Sequence, residues 1–242
     1  MTEGPLEIVN VYQSLLGIYG DQGNAKVLLK RAQWRGIDAK LTSVEPGEPL
    51  PETGDIFLLG GGEDGAQTSA VRALKADGGL HRAVDRGSVV FAVCAGYQIM
   101  GHSFGVGADD EPREGLGLLD VTTTRGAKRA VGEVLHRWTA PGAPSGDDAW
   151  LTGFENHGGY TRLGPGAIPL ARREIGIGNA DDGTEGAVQG TVIGTYPHGP
   201  ILPRNPALAD WLLELAVGHE LDPLTSAEHQ ELRRHRLAAV RG

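Results

Sequence analysis

The run Ser88-Val89-Val90-Phe91-Ala92-Val93 carries no charge and is rich in β-branched and aromatic side chains. A strand of that kind has no polar face to offer water, so it belongs inside a sheet covered on both sides. It ends at Cys94, and residues 96–102 read as the helix that follows. The same grammar repeats upstream. Ile8 to Tyr12, Ile37 to Val44 and Asp55 to Leu59 read as strands. A helix follows Asp21-Gln22-Gly23-Asn24 and closes at Gly36; two more are expected at about Thr68 to Ala76 and Leu80 to Arg86. Strands alternating with helices predict an α/β three-layer sandwich of flavodoxin-like type. Its central sheet is mostly parallel and doubly wound, with helices on both faces.

Beyond Gly115 the texture changes to short strands and turns. Strands are expected at Leu118 to Thr123, Ala130 to Leu135, Trp150 to Gly153, Ala167 to Arg172 and Ala187 to Thr195. A helix from Pro206 to Gly218 comes next. Thr225-Ser226-Ala227-Glu228 fits a capping box for a last helix over about 225–240, which could dock a partner or simply cap the fold. Thr139 to Asp148, rich in Pro, Gly and Asp, reads as a hairpin loop, so residues 1–242 are taken as one domain.

Composition narrows the function. A net charge of −9 argues against nucleic-acid binding, which needs a basic face, and the Arg233-Arg234-His235-Arg236 run is too short to supply one. A single cysteine excludes an internal disulfide. Met1 to Pro5 lacks the features of a signal segment, and no apolar run approaches the roughly 20 residues of a membrane helix. A cytoplasmic protein is expected.

Cys94, between a buried strand and a helix, has the layout of a nucleophile elbow, with small Ala92 and Gly96 two residues to either side. Unpaired N–H groups at the helix start favour a thiolate and can receive an oxyanion. Gly60-Gly61-Gly62, ending a neighbouring strand, could add a second backbone donor. The plain alternative for Cys94 is a buried apolar thiol. Gly194-Thr195-Tyr196-Pro197-His198-Gly199-Pro200 puts a histidine after another apolar strand, at the sheet edge where such folds keep their sites. His157 is its only rival. No histidine pair has metal spacing, and no Gly-x-x-x-x-Gly-Lys-Ser/Thr loop suggests ATP chemistry in this chain.

These strings, with Tyr19-Gly20-Asp21-Gln22-Gly23-Asn24, Val93-Cys94-Ala95-Gly96-Tyr97-Gln98 and Gly153-Phe154-Glu155-Asn156-His157-Gly158-Gly159, resemble the class I glutamine amidotransferases. More narrowly, they resemble the branch that joins cobyric acid synthase glutaminase domains with GatD-type glutaminase subunits of lipid II isoglutaminyl synthase. The resemblance implies a glutaminase that hydrolyses L-glutamine, with Cys94 as nucleophile and His198 as acid and base. The backbones of Gly61 and Ala95 would form the oxyanion hole. Arg129, Gly60, Gln98, Asn156 and His157 would bind substrate, with no metal. The resemblance also implies a heterodimer with a MurT-like Mur-ligase subunit, where ATP and magnesium act, in peptidoglycan precursor synthesis at the inner membrane face. Corrin amidation of the cobyric acid type is the alternative. One departure stands out. Triad amidotransferases carry a glutamate two residues after the histidine, and here that position is Pro200. A carboxylate for His198 would then come from Asp21, from Glu155 or from the partner, or be absent.

Overall fold

The computed structural model describes residues 4–17, 20–107, 109–224 and 226–242. Tyr19, Thr225 and the first three residues of Met1 to Pro5 lie outside the described residues. The first half runs β1 (Leu6–Val11), α1 (Gln22–Trp34), β2 (Ala39–Val44), β3 (Ile56–Leu59), α2 (Asp64–Asp77), α3 (Gly79–Asp85), β4 (Val89–Val93) and α4 (Ala95–Met100). Helix α2 starts earlier than the sequence suggests. Its first turn holds Asp64, which suits the positive end of a helix.

The second half opens with β5 (Ser103–Val106) and β6 (Glu111–Glu114), followed by β7 (Val121–Trp138) and β8 (Trp150–Leu163). Then come β9 (Ala171–Ile175), β10 (Thr184–Glu185), β11 (Ala187–Gln189) and β12 (Val192–Thr195). The chain closes with α5 (Ile201–Arg204), α6 (Pro206–Val217) and α7 (Ala227–Arg241).

The main sheet has the order β11-β12-β4-β3-β1-β2, parallel except for β11. Alternate residues of each strand face opposite layers, as the pleat requires. Val9, Val11, Phe57, Leu59, Val90 and Ala92 pack with α2, α3 and α4. Ile8, Ile56, Leu58, Val89, Phe91 and Val93 pack with α1, α5 and α6. Helices thus cover both faces. This is why the central strands β3 and β4 are apolar throughout.

A second sheet, β10-β9-β7-β5-β6 with β8 paired to β7, lies outside this sandwich. Here the expectation of short strands fails. Leu118 to Thr123 and Ala130 to Leu135 belong largely to one strand of 18 residues, antiparallel to β8, with a register shift between Arg125 and Ala130. Trp150 to Gly153 likewise begins a strand of 14 residues. Gly126 within this strand serves close packing, since a Cβ there would come within 2.1 Å of the Tyr160 ring. The expected strand from Ala187 to Thr195 divides into the β11–β12 hairpin, and Ala167 to Arg172 contributes only the start of β9.

Ser226 caps α7 by accepting the His229 N–H at 3.2 Å. Arg233 pins that helix, donating to the carbonyls of Arg204, Asp147 and Trp150. Among the described residues, no helix is long and apolar enough to cross a membrane.

Candidate active site

Cys94 has φ 53° and ψ −107°, a backbone conformation that side chains other than glycine rarely adopt. Holding it costs on the order of 1–3 kcal/mol, which the surroundings must supply. They do so by clamping the end of β4 between its neighbours. The Cys94 N–H donates to the Thr195 carbonyl at 2.8 Å, and the Gly96 N–H donates to the Gly60 carbonyl at 3.0 Å. The close approach explains Gly96, because a Cβ there would lie 2.7 Å from the Leu59 carbonyl oxygen. Ala95 follows as the first residue of α4, where a backbone N–H has no intrahelical acceptor.

Strands β4 and β12 are parallel neighbours with Val93 opposite Thr195, so His198 emerges beside Cys94. A backbone bridge straps His198 to β8. Its N–H donates to the Phe154 carbonyl at 2.8 Å, and the Phe154 N–H donates back at 3.2 Å. The imidazole is buried, and its Nδ1 lies 3.7 Å from Asp21 Oδ1, within ion-pair range though longer than a hydrogen bond. Burial alone would lower the basicity of this ring. Interaction with the Asp21 carboxylate and with the Cys94 sulfur outweighs burial and raises its pKa to about 9. Glu155, the other carboxylate weighed from sequence, is engaged elsewhere. It accepts the N–H groups of Ile177 and Gly178 and lies 3.7 Å from His157 Nε2.

A cavity of about 390 Å³ opens in front of Cys94, a size suited to a small metabolite. Gln98, Arg129, Asn156 and His157 all line it, so four of the expected binding residues converge there. Arg129 donates through Nε to Asn156 Oδ1 at 2.8 Å, and its Nη atoms have no partner among the described residues. That leaves a planar pair of donors for a carboxylate.

Two glycines depart from expectation. Gly60 does not line the cavity; it packs beside Asp21 and gives its carbonyl to Gly96. The Gly61 N–H, expected at the oxyanion hole, donates instead to Asp21 Oδ2 at 2.7 Å. The glycine of this loop that does face the cavity is Gly62.

A sulfur at a helix start, an imidazole beside it and a cavity with a cationic wall equip the site for acyl transfer from an amino-acid amide. The CobB/CobQ-like glutamine amidotransferase domain matches residues 7–206, which include every one of these groups. The chain belongs to that family. Relatives of this amidotransferase include the GatD subunit of lipid II isoglutaminyl synthase from Staphylococcus aureus, 35% identical over 92% of this chain and 89% of the relative. The Streptococcus pneumoniae GatD subunit is 32% identical over 88% and 80%. The cobyric acid synthase of Methylobacterium nodulans is 37% identical, but over 64% of this chain and only 31% of its own length. Among solved structures, a glutamine amidotransferase superposes with TM-score 0.58 at 24% identity, covering 86% of this chain and 98% of that one. PurLQS from Thermotoga maritima gives 0.57 at 16%, covering 98% and 99%. Both share the fold.

From Gln67 and Gln98 in the cavity wall a polar layer of the amidotransferase runs inward, and of its side chains the sequence pointed only to Gln98. Gln67 Nε2 donates to Gln98 Oε1 at 2.5 Å, and the Tyr196 and Thr161 hydroxyls lie 2.6 Å apart. Glu185, fully buried, is pushed up to about 7 by burial; it accepts the Tyr196 N–H and the Thr195 hydroxyl. Gln67 comes from α2, Gln98 from α4, Thr161 from β8, Glu185 from β10 and Thr195 from β12, with Tyr196 just beyond it, and no local spacing links them. Among the described residues, no group of three or more His, Cys, Asp or Glu could hold a metal ion.

Proposed function

We propose that this chain is the glutaminase subunit of a lipid II isoglutaminyl synthase. The observation that carries the reading is the meeting of Cys94 and His198 at one sheet edge, with Cys94 on a cavity whose wall holds Arg129. The Cys94 thiolate attacks the side-chain carbonyl carbon of L-glutamine. Charge that develops on the oxygen is met by the Ala95 N–H. The His198 imidazolium passes its proton to the amide nitrogen, the C–N bond breaks, and ammonia leaves a glutamyl thioester on Cys94. Water then attacks the thioester and gives a proton to His198. The thiolate departs and glutamate is released. Arg129 grips the α-carboxylate of glutamine, steadied by Asn156.

Ammonia goes to a MurT-type ligase subunit, which uses ATP and magnesium to activate the D-glutamate carboxylate of lipid II. The GatD relatives support this over corrin amidation, because their similarity runs along 92% and 88% of this chain, against 64% for the cobyric acid synthase of Methylobacterium nodulans. The test is to isolate the chain with its native partner and assay ammonia release from L-glutamine. A Mur-ligase-like partner and loss of release in Cys94→Ser are expected. A corrin-amidating partner would overturn the lipid II reading, and glutamine turnover surviving in Cys94→Ser would overturn the chemistry.

A further inference from the structure

Asp21 stands at the N-cap position of α1, where an aspartate ordinarily accepts one of its own helix's first N–H groups. This one makes no such bond. Its side chain is turned inward and is 5% exposed. Oδ2 holds the Gly61 N–H, and Oδ1 has no hydrogen bond among the described residues and points its charge at His198 Nδ1. An acidic side chain is buried in this way only when it is paired.

The residue that brings it there is Pro200. A Cβ on Gly23 would lie 2.4 Å from Pro200 Cγ, so the first turn of α1 rests directly on the proline ring. Asn24 Oδ1 fastens the same contact by accepting the Leu202 N–H at 2.9 Å. The position two residues past the histidine therefore supplies no carboxylate of its own. It docks the helix end that delivers one.

We infer that Asp21 is the positioning carboxylate of this site, holding His198 toward Cys94 from the start of α1 through the Pro200–Gly23 contact. The inference rests on the glutaminase reading above. Among the described residues, Asp21 and Cys94 face His198; Arg204 of α5 reaches Gly199 but is paired with Glu133 at 2.7 Å.

The test measures alkylation of Cys94 by 6-diazo-5-oxo-L-norleucine across pH in the full chain, together with NMR titration of His198. Asp21→Asn is expected to slow alkylation on the order of 10²-fold and to move the His198 midpoint downward, with a thermal midpoint lowered near neutral pH and closer to wild type above pH 9. Gly23→Ala, which forces Pro200 away while keeping both ionisable groups, is expected to shift the same midpoint in the same direction. It decides the matter should Asp21→Asn fail to fold. Wild-type alkylation rate and an unmoved His198 midpoint in these variants would overturn the inference and point to a partner-supplied carboxylate or none. No labelling of Cys94 in the wild type would instead sink the glutaminase reading itself.

Discussion

His157 stacks face to face on Tyr196, with ring centroids 3.6 Å apart and planes inclined by 12°. Its Nδ1 is bonded to the Gly159 carbonyl at 2.8 Å, and Glu155 lies beside its Nε2. The ring is therefore a wall of the cavity, held by packing, and the proposed mechanism gives the proton transfers to His198. His157→Phe keeps the stack and should leave kcat within a few-fold, whereas His157→Ala removes it and should raise KM for glutamine about tenfold, the effect of roughly 1.4 kcal/mol. Steady-state kinetics of the two variants check this. A collapse of kcat in His157→Phe would reassign the base.

The pH profile should carry the mark of His198. Its pKa, raised to about 9, keeps the imidazolium able to protonate departing ammonia through the neutral range. The expected kcat/KM falls as pH rises through about 9. The same shift stabilises the fold. Because the folded value exceeds the unfolded value of about 6.5, the contribution is complete below the latter and is lost as pH rises through the folded value. His198→Gln should abolish activity and flatten the dependence of the thermal midpoint over that window.

Arg129 tests the carboxylate grip. Arg129→Ala should raise KM for glutamine by about 10- to 100-fold, as loss of a charge-assisted pair worth roughly 1.5–3 kcal/mol requires, with kcat changed much less. Arg129→Lys should recover little, since an ammonium cannot present two parallel donors. Equal losses in kcat and kcat/KM would place Arg129 in the transition state instead.

How far the sequence reached depends on what kind of signal each feature leaves. The parallel sheet was legible because Val89 to Val93 and Ile56 to Leu59 are buried on both faces and must be apolar throughout. That Cys94 and His198 lie together was legible because each follows a buried strand, and neighbouring strand ends converge. The long β7–β8 hairpin was not, because Gly126 and the glycines at 158 and 159 look like turn signals while residing in extended strands. The bond from Gly61 to Asp21 was hidden too, since it joins residues 40 apart whose meeting depends on how α1 docks. The same holds for Glu185 and Tyr196, whose pairing appears only once β10 and β12 are placed.

Stability should separate from catalysis at Arg233. Its guanidinium serves partly buried carbonyls of residues 147, 150 and 204, which truncation would leave without this donor. Arg233→Met should lower the unfolding free energy by about 2–4 kcal/mol in urea titration, while kcat/KM below the transition stays near wild type.

The most direct measurement is mass spectrometry of the chain acid-quenched during turnover of L-glutamine. One glutamyl group should appear on the peptide containing Cys94 and be absent from Cys94→Ala. Release of ammonia with no such adduct, or an adduct on any other residue, would contradict the central claim.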